Sequence, residues 1–226
     1  MGRPLFMIGG CAYRQQVHVN HAAAVAMLAS IATVRDDGPM LAGIHYIHTS
    51  NLPQGRCLWL RDQIADKQLK WAISVDSDTV FTPQHLLAEL KQVDGQTAIG
   101  IAPVRIGGTT DLCNINLTQE DENISAEMDG ATHARDMPIV ERRVQWGDEL
   151  KRVLDGDRHI TSGGFGVVVF NLEWFRAAWP LPAPEFVSIA TGEDTELCKS
   201  VRRRGGIIKA LKVATDHFAW GEKQTR

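Results

Sequence analysis

The chain has 226 residues and a mass of 25.0 kDa, with 44% hydrophobic and 23% charged residues, so it is long enough for one α/β domain with a sizeable core. A net charge of −3 and a pI of about 6.2 argue against a binder of duplex nucleic acid, which would carry a strong basic field. The four cysteines form no C-x-x-C pair, which argues against a zinc site and a disulfide framework. The sequence shows no signal-peptide architecture and no run near the roughly 18 apolar residues of a membrane span. We therefore expect a soluble, cytoplasmic protein.

Strand and helix patterns alternate through the first half of the chain. The predicted strands are Pro4–Gly10, Leu41–Thr49, Trp71–Val75 and Thr97–Val104, and the predicted helices are Val17–Thr33, Arg56–Lys67 and Pro83–Val93. Thr82 and Pro83 are typical of an N-cap followed by the first helical position. This alternation predicts an α/β fold with a mostly parallel mixed sheet and helices on both faces.

The pattern breaks between Gly107 and Gly156, where polar and charged residues dominate. A long irregular segment inside a compact domain is usually functional, and we expect a variable loop or hairpin excursion beside the site. Regular structure is predicted again in four segments of the remaining chain. They are a glycine-rich lead into an apolar strand over His159–Phe170, helices Asn171–Ala178 and Glu193–Arg204, and the strand Ile207–Val213.

The stretch WAISVDSDTVF contains the strongest candidate site. Its apolar strand ends in Asp76 and Asp78, and residues two apart on an extended segment point the same way. Two carboxylates that close repel each other, so a hard divalent cation with oxygen ligands would fit between them. Ligands of open α/β sheets also bind outside the carboxyl ends of strands. The alternative interpretation is a surface turn with two solvated aspartates.

Other candidates follow later in the chain, each with a structural alternative. Glu193 and Asp194 follow Gly192 at a helix start, where either acts as a general base or as a favourable charge at the helix N-terminus. His217 is a metal ligand or a satisfied structural imidazole. The glycines between Gly163 and Gly166 allow close approach of a ligand or form a β-bulge. Arg61 reaches the aspartates or a phosphate, or is a solvated helical charge.

Taken in their order along the chain, these motifs resemble those of the GT-A glycosyltransferases, in particular small family-2-like members of bacteria and phages. The resemblance covers roughly half of the chain. It rests on the stretches MIGGCAYRQQVHV, LRDQIADKQLKWAISVDSDTVFTPQHLLAEL, ITSGGFGVVVFNLEWF and TGEDTELCKSVRRRGGIIKALKVATDHFAWG. It implies a single GT-A-like, Rossmann-like domain over residues 1–226, with a nucleotide-sugar-binding half (1–105), a variable loop region (106–158) and an acceptor and catalytic half (159–226).

The resemblance also implies roles for individual residues. Mn²⁺ or Mg²⁺ would bridge the diphosphate of a nucleotide-sugar, with a UDP-sugar favoured, to the protein. The implied assignments are Asp78, Asp76 and His217 for the metal, Asp194 (with Glu193 beside it) for the base, and Gly10, Cys11, Tyr13 and Arg61 for the nucleotide, with Asp76 and Asp78 also facing it. One departure is Arg61-Asp62, where the relatives usually carry Arg-Asn.

The resulting hypothesis is an inverting, metal-dependent glycosyltransferase in the cytoplasm of a bacterial or phage-infected cell. Its acceptor stays open between a glycan, a protein and a modified nucleic-acid base. One alternative is a haloacid-dehalogenase-like phosphohydrolase with Asp76 as nucleophile, because ISVDSDTV fits the opening motif of that family. Against it, two strand-helix units precede the motif here. A second alternative is a non-catalytic module that binds a nucleotide or glycan.

Overall fold

A computed structural model describes residues 2–12, 17–35, 37–49, 51–106, 111–118, 141–180 and 193–217, with Thr118, Glu141 and Glu193 described by their backbone alone. These residues form eleven strands and six α-helices. The strands are β1 (Leu5–Ala12), β2 (Met40–His48), β3 (Leu69–Val75), β4 (Thr79–Phe81), β5 (Thr97–Ile101), β6 (Leu112–Thr118), β7 (Glu141–Gln145), β8 (Ser162–Gly163), β9 (Val167–Asn171), β10 (Ile207–Ala210) and β11 (Thr215–His217). The helices are α1 (Val19–Val34), α2 (Leu52–Ala65), α3 (Pro83–Glu89), α4 (Asp148–Asp155), α5 (Leu172–Ala178) and α6 (Glu193–Arg203).

A six-stranded sheet in the order β10-β5-β9-β3-β1-β2 forms the centre of the molecule. Five strands run in one direction, and β9 pairs antiparallel with both β3 and β5. The predicted α/β class and mostly parallel mixed sheet are therefore confirmed. Which strand of the mixed sheet runs antiparallel was not predicted, because an apolar run such as VVVF does not encode its direction.

Helices cover both faces of this sheet and bury two hydrophobic clusters. The first turns Phe6 and Ile73 toward α1 and α3, and the second includes Ala72, Trp59 and Phe170. Successive residues of β3 thus enter opposite clusters, as expected of a strand buried on both faces. Each fully buried large apolar side chain contributes roughly 1.5–3 kcal/mol, so the two clusters stabilise the strands whose ends carry the candidate site.

Most predicted elements are present with ends that differ by a few residues, but α2 begins earlier than predicted. It starts at Leu52, with Asn51 accepting a hydrogen bond from the Gln54 backbone N–H and Pro53 in the first turn. Asparagine is a favoured N-cap, and proline is tolerated where no intrahelical N–H bond is lost. Arg56 therefore lies inside the helix rather than at its start.

The region predicted to be irregular contains regular structure. The strands β6 and β7 pair antiparallel, as a hairpin excursion requires, and α4 follows them. Cys113, Ile115 and Val144 are fully buried in the core. The alternation of Cys113, Asn114 and Ile115 is that of a half-buried strand, a signal that the surrounding charged residues obscured.

Candidate active site

The candidate site lies at the carboxyl edge of the parallel strands. The strands β1, β2 and β3 end there, and Val75, the last residue of β3, pairs with Val167, the first residue of antiparallel β9. The glycine-rich loop before β9 consequently reaches the same edge as the Asp-x-Asp motif. This is the edge at which open α/β sheets bind their ligands.

Asp76 and Asp78 lie in a tight turn between β3 and β4. The Asp76 N–H donates to the Gly166 carbonyl at 3.0 Å, and the Thr79 N–H donates to the Asp76 carbonyl at 2.9 Å. The extended strand already ends at Val75, so the alternation that was expected to aim both carboxylates at one point does not extend to this turn. The two side chains instead engage different partners.

Arg56 of α2 joins the Asp-x-Asp turn to the start of α6. Its Nη2 lies 2.6 Å from Asp76 Oδ1 and its Nη1 lies 2.7 Å from Asp194 Oδ1. The guanidinium carbon also lies 6.0 Å from the centre of the Phe165 ring. Arg56 is 20 residues from Asp76 and 138 from Asp194 in sequence. One mostly buried cation thus brings together two carboxylates predicted to have separate roles.

The glycine-rich loop orients Asp194 from the other side. The Phe165 N–H donates to Asp194 Oδ2 at 3.1 Å. Asn114 of β6 anchors the loop, because its side-chain amide donates to the Gly164 carbonyl at 2.7 Å and its backbone carbonyl accepts from the Gly164 N–H at 2.9 Å. The side chain of Asp194 is 24% exposed, so its carboxylate is both oriented and accessible.

Asp78 and His217 contact each other beside a small two-stranded sheet that the sequence did not predict. The strand β11 pairs antiparallel with β4 and places His217 opposite Thr79, with Nε2 3.4 Å from Asp78 Oδ2. Burial acts to raise the pKa of Asp78, but the hydrogen bond and charge of His217 outweigh it, so the pKa of this carboxyl is lowered. The same hydrogen bond raises the pKa of His217.

A buried histidine of α1 hydrogen-bonds to the end of the turn that carries Asp76 and Asp78, and sequence reasoning did not identify it. His21 Nδ1 lies 2.8 Å from the Thr79 carbonyl, and its Nε2 lies 2.6 Å from the Tyr46 hydroxyl. A carbonyl only accepts, so Nδ1 carries the proton and the Tyr46 hydroxyl donates to Nε2. Burial lowers the pKa of His21, which favours the neutral imidazole in this chain of hydrogen bonds.

The structure describes only some of the other predicted site residues. Gly10 has φ +140°, and a Cβ there would lie 2.9 Å from the Val75 carbonyl oxygen, so contact with β3 already accounts for this glycine. Cys11 is buried. Tyr13 lies outside the described residues, and nothing is described of the Glu193 side chain.

Arg61 lies exposed on α2, whereas Arg56 reaches the carboxylates. Positions 56, 60 and 63 share one helix face because they follow i, i+4, i+7 spacing, and Leu60 and Gln63 are buried. A residue five positions after Arg56 points about 140° away at 3.6 residues per turn. The predicted helix Arg56–Lys67 already contained these three positions, so their shared face was the available sequence signal for Arg56.

Replacement of Arg56 tests how much this bridge stabilises the fold. We expect Arg56→Ala to lower the free energy of unfolding by about 2–3 kcal/mol, since it removes the mostly buried cation that lies against both Asp76 and Asp194. Arg56→Lys should have a free energy of unfolding between those of the wild type and Arg56→Ala, because an ammonium group keeps the charge but cannot hold two carboxylates in one planar fork. Urea unfolding followed by circular dichroism measures both.

The matched control is Arg61→Ala on the same helix. An exposed arginine away from such a bridge should change the free energy of unfolding by no more than about 0.5 kcal/mol. Equal losses for the two alanine variants would contradict the assignment of the bridge.

In the part of the chain that the structure describes, no group of three or more His, Cys, Asp or Glu side chains is arranged to hold a metal ion. No helix in the described ranges is long and apolar enough to cross a membrane. The pair Asp78–His217 is thus a two-residue arrangement, with Asp76 turned to Arg56.

Comparison with known proteins defines the fold. Neither a scan against protein-family models nor a search of curated proteins finds a match. Among solved structures, A197 from STIV is similar with a TM-score of 0.55 and 14% identity, over 96% of this chain and 86% of that chain. GalNAc-T7, solved with UDP, GalNAc and Mn²⁺, is similar with a TM-score of 0.56 and 11% identity, over 96% of this chain and 44% of that chain. The chain has a GT-A-like fold. At these identities the likeness defines the fold alone, and membership of family 2 stays a prediction.

Proposed function

We propose that this protein is a metal-dependent glycosyltransferase that moves a sugar from a nucleotide-sugar, with UDP favoured, to an acceptor hydroxyl with inversion at the anomeric carbon. Asp194 is the general base in this proposal. Asp78 and His217 hold the divalent cation, and Asp76 lies beside the nucleotide or the metal.

The observation that carries the proposal is the position of Arg56 between Asp76 and Asp194, at 2.6 and 2.7 Å. Such a transfer needs a metal-diphosphate half and a separate acid-base half within one cleft. The bridge places the Asp-x-Asp turn and the candidate base within the span of one guanidinium group. It does so at the ligand-binding edge of a GT-A-like sheet.

The residues around Asp78 fit a divalent cation of the Mg²⁺ or Mn²⁺ type. Such ions are commonly held by one or two protein ligands together with waters and substrate phosphates, not by an all-protein cage. A carboxylate oxygen and an imidazole nitrogen 3.4 Å apart supply that number of protein ligands once the imidazole has lost its proton to bind the ion. When bound, the ion would neutralise charge on the departing diphosphate.

Asp194 is suited to take the acceptor proton. The acceptor oxygen forms a bond to the anomeric carbon, the bond from that carbon to the diphosphate breaks with its electron pair leaving on the diphosphate, and the acceptor proton passes to the carboxylate. The Phe165 N–H and Arg56 hold this carboxylate in one orientation. Arg56 also supplies fixed positive charge beside the reacting groups, and such preorganised charge stabilises a transition state.

The nucleotide is expected over the carboxyl ends of β1 and β2, with Gly10, Cys11, Tyr13 and Arg61 as its predicted contacts. GalNAc-T7, the structural neighbour solved with UDP and Mn²⁺, guides the choice of these ligands for testing. A family-2-like relationship and a cytoplasmic location belong to the same proposal. A glycan, a protein and a modified nucleic-acid base all remain acceptors to test.

A thermal-shift panel of nucleoside diphosphates, with and without Mn²⁺, tests the donor half. Specific binding stabilises the folded state by mass action, by about 2.7 kcal/mol at a ligand concentration 100 times Kd. We expect UDP to raise the unfolding temperature only when Mn²⁺ is present. Calorimetry that detects no nucleotide binding in the presence of Mn²⁺ would contradict the proposal.

The two alternatives predict different results in the same set of assays. A phosphohydrolase would release phosphate from an aryl phosphate and lose that activity in Asp76→Ala. In the structure Asp76 is ion-paired with Arg56, and the GT-A-like fold gives this alternative no support. A non-catalytic module would bind the nucleotide-sugar without turnover of any acceptor.

A further inference from the structure

Two of the glycines between Gly163 and Gly166 are required by close packing within the protein. A Cβ on Gly163 would lie 3.1 Å from the Asn114 carbonyl oxygen, and one on Gly166 would lie 2.9 Å from a Val104 methyl carbon. Contacts this close force neighbouring atoms to move in a tightly packed interior. Packing therefore accounts for both of these glycines.

Gly164 differs from its neighbours in this respect. Among the described residues, the nearest atoms to a Cβ built on Gly164 are Asn114 Cβ at 3.5 Å and Asp194 Oδ2 at 3.7 Å, which are ordinary contact distances. Gly164 is also not among the glycines with positive φ. Neither the described packing nor the backbone conformation calls for glycine at this position.

The volume that a side chain at Gly164 would fill lies against Asp194 Oδ2. An acceptor hydroxyl that donates its proton to this oxygen must come within about 2.5–3.0 Å of it, and the carbon bearing the hydroxyl lies one bond further out. A methyl group 3.7 Å from the same oxygen would compete for that volume.

The loop is not free to move such a side chain aside. The Gly164 N–H and carbonyl are both hydrogen-bonded to Asn114, at 2.9 and 2.7 Å. The next residue, Phe165, donates its N–H to Asp194 Oδ2. A substituent at position 164 therefore keeps a fixed place beside the carboxylate.

We propose that Gly164 sets the size of the acceptor subsite, leaving room beside Asp194 Oδ2 for the carbon that bears the reacting hydroxyl. This inference rests on the proposed function. It identifies a specificity-determining position, with acceptors carrying a substituted, secondary hydroxyl carbon as the class that Gly164 admits.

The test compares Gly164→Ala and Gly164→Val with the wild type and a control. Gly38→Ala is the control, because no described atom lies within 4 Å of a Cβ there. Each protein is given Mn²⁺ and the UDP-sugar that the wild type hydrolyses fastest, in water containing methanol or 2-propanol. The readout is the ratio of alkyl glycoside to free sugar, measured beside the thermal shift produced by UDP with Mn²⁺.

We expect both Gly164 variants to unfold within about 4 °C of the wild type and to keep the thermal shift produced by UDP with Mn²⁺. The ratio with 2-propanol should fall about tenfold or more in Gly164→Ala, and further in Gly164→Val, because a single methyl group in a fitted pocket discriminates on this scale. Methanol, which carries no substituent on its hydroxyl carbon, should be affected less. Gly38→Ala should match the wild type throughout.

Two results would overturn the inference while leaving the proposed function intact. One is an unchanged ratio in both Gly164 variants. The other is loss of folding or of UDP binding in Gly164→Ala, which would assign the glycine to the fold or the donor site. A wild type that turns over no UDP-sugar would overturn the proposed function, and this inference with it.

Discussion

Asp78→Ala is expected to abolish the Mn²⁺-dependent part of UDP binding and to lower turnover of a UDP-sugar by about 10²–10³-fold or more. The substitution removes the carboxylate ligand of the proposed metal and leaves His217 without its 3.4 Å partner. Calorimetry of UDP with and without Mn²⁺ measures the binding, and release of UDP measures the turnover.

The stability of Asp78→Ala separates a ligand role from a structural one. The contact between Asp78 and His217 is partly solvated, with the two side chains 21% and 37% exposed, so its loss should change the free energy of unfolding by less than about 1 kcal/mol. Asp216→Ala, which removes an exposed carboxylate beside His217 on β11, is the matched control and should keep Mn²⁺-dependent binding. If Asp78→Ala retains that binding, Asp78 is not a metal ligand.

Asp194→Asn is expected to lower the transfer rate by about 10²–10⁴-fold, the usual contribution of a general base. The amide has nearly the shape of the carboxylate, but its single oxygen can accept from only one of the Phe165 N–H and Arg56. It cannot take a proton from an acceptor, whereas Asp78 and His217, which hold the metal in this proposal, are unchanged. UDP binding in the presence of Mn²⁺ should therefore persist. Initial rates at saturating donor, beside a UDP titration, measure the two effects separately.

The control for Asp194→Asn is Glu196→Gln on the same helix, which neutralises a carboxylate that pairs with Lys199 at 3.1 Å. Its transfer rate should stay close to that of the wild type.

Nuclear magnetic resonance of the product should show inversion of the anomeric configuration. Retention would remove the base role from Asp194 even if the variant were inactive.

Much of the fold could be predicted because hydrophobic periodicity is local information. The runs LFMIGG and WAISV predict buried strands. Because strand patterns alternate with helix patterns of suitable length, the sheet is expected to be mostly parallel. The direction of β9 and the pairing of β4 with β11 could not be predicted in this way. Both depend on partners distant in sequence, and a short apolar run is compatible with either direction.

The candidate site was predicted in part for the same reason. Asp76 and Asp78 stand out because two charges directly follow a buried strand, and Asp194 stands out at a helix start. Arg56 was missed although the predicted helix contained it, because a helical arginine carries no local sign of carboxylates that lie 20 and 138 residues away in sequence. His21 was missed because a histidine within an alanine-rich helix carries no local sign of the carbonyl that it will meet.

The sequence by itself determined the α/β class, the stretch that ends in Asp76 and Asp78, and the order of the acidic and histidine motifs behind it. Only the tertiary structure decided which side chains contact each other: it places Arg56 rather than Arg61 against the two carboxylates. The pairing of β11 with β4 brings His217, already grouped with Asp78 by the resemblance, to within 3.4 Å of it. The physical reason is that strands and helices form where apolar residues recur at the matching spacing within a short stretch of sequence. Charge pairing instead depends on distances of a few ångströms between residues as many as 138 positions apart, which the packing of helices on the sheet sets.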